Sequence, residues 1–102
     1  MSIWRHGRRK LDDNHRAVVE ALRKIGASVQ PLTSVGRGCP DLLVGIRGRN
    51  FLLEVKDGAK SPSRRKLEPA QEVWRAGWYG TVWTVNSVDQ AVKTVLDRSA
   101  DP

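Results

Sequence analysis

Apolar residues recur at helical spacing in three stretches of the chain and at strand-like spacing in four others. The first helix is predicted from Asp12 or Asp13 to Ile25. Acid in its first turn suits the helix dipole, and Gly26 supplies the stop. Its apolar stripe is Val18, Leu22 and Ile25; Asn14 and His15 flank that stripe, whereas Glu20 points away. Residues 27–32 form a short extended piece that Pro31 confines to an edge or a strand end. Two apolar runs, 41–46 and 51–56, lie a turn apart and predict a β-hairpin, with Gly48 at the first central position of a type II′ turn. Pro69 stands where a helix accepts its first residue, and Ala70, Val73, Trp74 and Gly77 mark the face that helix would bury. A strand over 81–85 follows. Ser87 and Gln90 then have capping-box spacing ahead of Val88, Ala91, Val92, Val95 and Leu96. The predicted order is α-β-β-β-α-β-α, an α/β fold with a mixed central sheet flanked by helices.

With 102 residues, this is material for one domain. The expected limits are a basic arm over 1–11, the domain over 12–98 and a tail over 99–102. Charge changes the picture more than size does. Eighteen Lys and Arg against eleven Asp and Glu give a net +7, which favours a polyanionic partner, nucleic acid ahead of an anionic membrane. No apolar run is long enough to span a bilayer, and the basic N-terminus has no apolar stretch behind it to make a secretory signal. A cytoplasmic location is the expectation. Cys39 is the sole cysteine, which excludes an internal disulfide and a thiolate-rich zinc site; no partner base is evident, so it reads as structural.

The candidate chemistry lies in the hairpin. Along residues 51–56, Phe51, Leu53 and Val55 share one face, and Leu52, Glu54 and Lys56 the other. With a turn centred on Gly48 and Arg49, Leu43 would face Glu54 and Asp41 would face Lys56. Asp41 and Glu54 would then be diagonal neighbours about 7–8 Å apart, with Lys56 beside both. Two carboxylates so placed repel until a cation arrives. A hard divalent ion such as Mg²⁺ accepts one or two carboxylates with a main-chain carbonyl and waters, and it can activate a water toward a phosphoryl group. The competing reading is a salt bridge at the edge of the sheet.

Cys39-Pro40-Asp41 followed by apolar residues, then Glu54-Val55-Lys56, resembles the PD-(D/E)xK nuclease superfamily. The layout over residues 12–97 is similar to its virus-type replication and repair branch, the VRR-NUC domains, of the kind phages encode as small free-standing proteins. The resemblance implies a restriction-endonuclease-like core and Mg²⁺ or Mn²⁺ held by Asp41, Glu54 and the main chain of Val55. It implies that Lys56 assists the attacking water and gives Gln71 a place at the site. Related junction-resolving nucleases set a glutamate on the inner face of the first helix. His15 stands there in this chain, either as a further metal or water ligand or as a satisfied histidine near a helix start.

Basic residues around the motif, Arg37 upstream and Lys60, Arg64, Arg65 and Lys66 downstream, read as phosphate contacts, as do Arg8 and Arg9 in the arm. Trp74, Trp78 and Trp83 read as core or interface, with base stacking as the alternative. The expected function is a structure-selective DNA endonuclease, resolving Holliday junctions as a homodimer because one short chain carries one site and symmetric cleavage needs two. The alternatives are a nicking, flap or restriction-like endonuclease, or a DNA-binding module without catalysis. If phage-encoded, the protein would work in the host cytoplasm.

Overall fold

Each end of the first helix is set by local chemistry. In the computed structural model, which describes residues 13–60 and 66–100, α1 runs Asp13–Lys24, with Asp13 in its first turn and Arg23 and Lys24 in its last. Gly26 at φ +95° ends it: Gly26 N–H donates to Arg23 O and Ala27 N–H to Leu22 O, both at 3.0 Å, the paired bonds of a Schellman motif. The remaining elements among the described residues are β1 (Ser28–Pro31), β2 (Leu42–Ile46), β3 (Arg49–Val55), α2 (Pro69–Ala76), β4 (Val82–Val85) and α3 (Val88–Ser99). The predicted order α-β-β-β-α-β-α is the observed one. Of the expected arm, 1–11, nothing falls within the described residues. At the other end α3 reaches Ser99, whose side chain is buried.

The four strands lie in the order β1-β2-β3-β4, antiparallel except for the parallel pair β3–β4. Pro31 ends the edge strand β1, where its missing N–H is tolerated. Leu42, Val44, Phe51 and Leu53 project from one face of the sheet into the core, with Val85 of β4, Val18, Val19 and Leu22 of α1, and Ala91 and Val95 of α3. Ser87 Oγ accepts from Gln90 N–H at 3.1 Å, and Gln90 Oε1 accepts from Asn86 N–H, so the side chains predicted to cap α3 do so.

Two expectations are corrected. The hairpin turn is centred on Arg47 and Gly48, not on Gly48 and Arg49. Both residues have positive φ, +53° and +77°, the signature of a type I′ turn, whose twist matches that of the strands. Val44 therefore pairs with Phe51 and Leu42 with Leu53. The predicted register is off by two residues, and an even slip leaves every side chain on its face. The second correction concerns α2. The stripe Ala70, Val73, Trp74, Gly77 is not its inner face: Val73 is 74% exposed, and the one buried residue is Gln71.

Candidate active site

The corrected register tightens the hairpin constellation. Continued one residue beyond Leu42–Leu53, it sets Asp41 against Glu54 rather than against Lys56. Both acids lie on the face opposite the apolar core, and each is 1% exposed. Asp41 Oδ2 accepts from Val55 N–H at 2.8 Å, and its own carbonyl accepts from Leu32 N–H at 2.7 Å. The carboxylate is thus fixed against the main chain between Glu54 and Lys56.

Gln71 closes the cluster from above. Pro69 opens α2, which places Gln71 at the third helical position, and there its side chain turns inward. Its Nε2 donates to Glu54 Oε2 at 2.7 Å, and its Oε1 accepts from Lys56 Nζ and from Glu68 N–H, both at 2.9 Å. These partners allow only one orientation of the amide. Lys56 Nζ also lies 3.7 Å from Glu54 Oε2. The burial of a carboxylate and an ammonium is thereby offset by charge and by directed hydrogen bonds. Farther along α2, Arg75 donates to Thr84 Oγ1 at 2.7 Å and holds the helix on β4.

Two further contacts set the height of the cluster. Asn14 Nδ2 donates to Lys56 O at 2.6 Å, so the start of α1 reaches the end of β3. Gly38, at φ +84°, presses against the first turn of α2: a Cβ there would sit 2.1 Å from the Ala70 carbonyl oxygen, backbone that cannot swing away. The loop that carries Asp41 and the helix that carries Gln71 are therefore locked together. Sequence reading missed Gly38, because a contact across 32 residues leaves no local trace. It also missed Glu68, although the spacing of Glu68 and Gln71 repeats the signal recognised at Ser87 and Gln90.

The structure brings together Asp41, Glu54, Lys56, Gln71 and the main chain of Val55. His15 is buried on α1 and lines a pocket of about 250 Å³ with Arg16, Val19, Glu20, Arg23 and Pro31. Among the described residues no three His, Cys, Asp or Glu side chains gather as a metal cluster. The donor chemistry still fits Mg²⁺, which takes one or two carboxylates and completes its shell with carbonyl oxygen and water. Arg37 is exposed and held at φ +57°, between Gly36 and Gly38, four residues before Asp41. Lys60 and Lys66 are exposed; Arg8, Arg9, Arg64 and Arg65 lie outside the described residues. Burial pushes the Cys39 thiol up from its ordinary pKa, and the nearby Glu54 and Asp41 carboxylates push it further, so it holds its proton as a structural thiol would.

A mixed sheet between helices, with two acids and a lysine converging from adjoining strands, defines a restriction-endonuclease-like core. Comparison with solved structures agrees: the chain is similar to one described as a VRR_NUC domain, at 30% identity and a TM-score of 0.58, over 79% of this chain and 88% of that one. The chain belongs to the VRR-NUC nuclease family. No family model and no curated protein matches the sequence. Among the described residues no helix is long and apolar enough to cross a membrane.

Proposed function

We propose that this chain is a metal-dependent endonuclease that hydrolyses phosphodiester bonds in DNA and selects its substrate by structure rather than by sequence. The observation that carries the reading is the buried cluster of Asp41, Glu54, Lys56 and Gln71 on the sheet face away from the apolar core. Buried charge is costly, and a fold this small gains little from it unless the charge is used.

Asp41 and Glu54, with the Val55 carbonyl, would hold Mg²⁺ or Mn²⁺. Such an ion supplies Lewis acidity toward a phosphoryl oxygen and lowers the pKa of water. Lys56 has its ammonium positioned by Gln71 and Glu54, where it can hold the attacking water or steady charge growing on the phosphate. Gln71 is a positioning residue: it fixes the Lys56 ammonium and one Glu54 oxygen. Arg37, Lys60 and Lys66, with Arg64, Arg65, Arg8 and Arg9, would contact phosphates and supply affinity without reading bases. Resolution of a four-way junction is the most specific form of this reading. It would require a homodimer with two paired sites.

A second reading, DNA binding without cleavage, draws on the internal satisfaction of Glu54 by Gln71 and Lys56. The two are separated by incubating a four-way junction, a flap, a linear duplex and a single strand with protein and Mg²⁺ or Mn²⁺. The nuclease reading expects nicks in at least one branched form, abolished by EDTA and lost in Asp41→Ala and Lys56→Ala. Tight binding with no cleavage in either metal would establish the second reading instead.

A further inference from the structure

The exit of α2 carries exposed aromatic surface that the proposed catalytic cluster does not use. Gly77 N–H closes the helix onto Val73 O and Trp74 O, and Trp78 then folds back so that its ring stacks on Trp74, with centroids 4.7 Å apart and planes 22° apart. Gly80 lets the chain pass close behind: a Cβ there would come within 2.9 Å of Trp78 Nε1. The indole is thus held from two sides, yet it remains 46% exposed, and Tyr79 beside it is fully exposed at 101%. Two large rings left in water in a small domain are an uncompensated cost within the monomer.

Their position relative to the cluster is informative. Gln71 and Trp74 lie three residues apart on α2, and Trp78, just past the helix end, stacks its ring on Trp74, so the ring pair belongs to the same short helix that sets Gln71 against Glu54 and Lys56. The chain carries +7, and Arg37, Lys60 and Lys66 are exposed. A held, exposed aromatic ring on a chain whose charge attracts phosphates is suited to stacking unpaired bases without regard to sequence.

We infer that Trp78, with Tyr79, is a stacking platform for unpaired bases at the end of the helix that carries Gln71, so that DNA with single-stranded character near the cut is the favoured substrate. This rests on the DNA-nuclease reading above and adds the feature by which structure would be selected. In a duplex the bases are already stacked on one another and offer the ring no face.

Binding in EDTA tests it apart from cleavage. Fluorescence anisotropy would compare the full chain on a labelled single strand and on a blunt duplex of the same sequence, for wild type, Trp78→Ala, Trp78→Phe and Val73→Ser. Stacking is worth about 1–3 kcal/mol per base, so Trp78→Ala is expected to weaken single-strand binding about 5- to 150-fold and to lower its ratio to duplex binding. Trp78→Phe retains most of the affinity because a ring remains. Val73→Ser, exposed and outside the stacked ring pair, leaves both affinities as they are. Single-strand binding unchanged in Trp78→Ala would overturn the inference. So would an equal loss in Val73→Ser, or a wild-type dimer in sedimentation that Trp78→Ala turns into a monomer, since the surface would then belong to a second copy. Wild-type cleavage of branched DNA with added Mn²⁺, run in parallel, shows whether the nuclease reading stands when the platform does not.

Discussion

Gly38→Ala probes the assembly of the site without touching a charged group. The substitution has two effects at that position. At φ +84° a β-carbon is in the left-handed region, which costs about 1–2 kcal/mol. It would also lie 2.1 Å from the Ala70 carbonyl oxygen, so the loop and α2 must part by more than 1 Å to reach ordinary contact. Overpacking of this kind adds about 1–3 kcal/mol. Gly36→Ala is the matched control: its φ is +74°, and nothing lies within 4 Å of a Cβ there. In thermal unfolding, Gly36→Ala is expected to lower Tm by about 4–16 °C, and Gly38→Ala by at least a further 4–8 °C. Asp41 lies three residues past Gly38, and Gln71 follows Ala70 directly, so displacement at this contact misaligns the cluster. A shift of about 1 Å in a positioned group reduces turnover on the order of 100-fold. Gly38→Ala should therefore lose activity at temperatures where it is fully folded, and Gly36→Ala should not. Equal Tm values and equal activities for the two variants would refute the argument that the loop is docked on α2.

Gln71→Leu removes the amide between Lys56 and Glu54 and leaves both buried groups short of a partner. It is expected to cost about 2–4 kcal/mol in denaturant unfolding and to reduce cleavage more than tenfold. Arg37→Ala should lower the slope of log binding constant against log salt by about 0.9 if Arg37 contacts one phosphate, measured on duplex DNA. The Cys39 thiol has a raised pKa, so less of it is thiolate at any given pH; its alkylation at pH 8 should be slower than that of free cysteine and should quicken in Glu54→Gln, where one neighbouring negative charge is gone.

How far the sequence led differs from residue to residue, and the reason is the range of the interactions. Gly26 stops α1, and Ser87 with Gln90 starts α3, because a few neighbouring residues decide those ends. The convergence of Asp41 and Glu54 on one face was legible from the period-2 alternation of β3, which survives an even slip of register. The register itself was not legible, since Gly48 can occupy either central position of a two-residue turn and Arg47 gives no sign that it will adopt a positive φ. The orientation of α2 was misread because apolar spacing ranked Val73 above Gln71. In the fold, the hydrogen bonds of Gln71 to Glu54 and Lys56 turn the helix, and Val73 is left in water. The role of Asn14 was hidden for a similar reason, its partner being a main-chain carbonyl 42 residues away.

The central claim is that Asp41 and Glu54 together hold a divalent cation. Calorimetric titration of Mn²⁺ into wild type and Asp41→Asn tests it most directly, because an asparagine oxygen can still accept from Val55 N–H and keep the fold. Saturable binding by the wild type that weakens at least tenfold in a folded Asp41→Asn is the expected result. Equal binding by the two proteins, or no binding by the wild type, would contradict it.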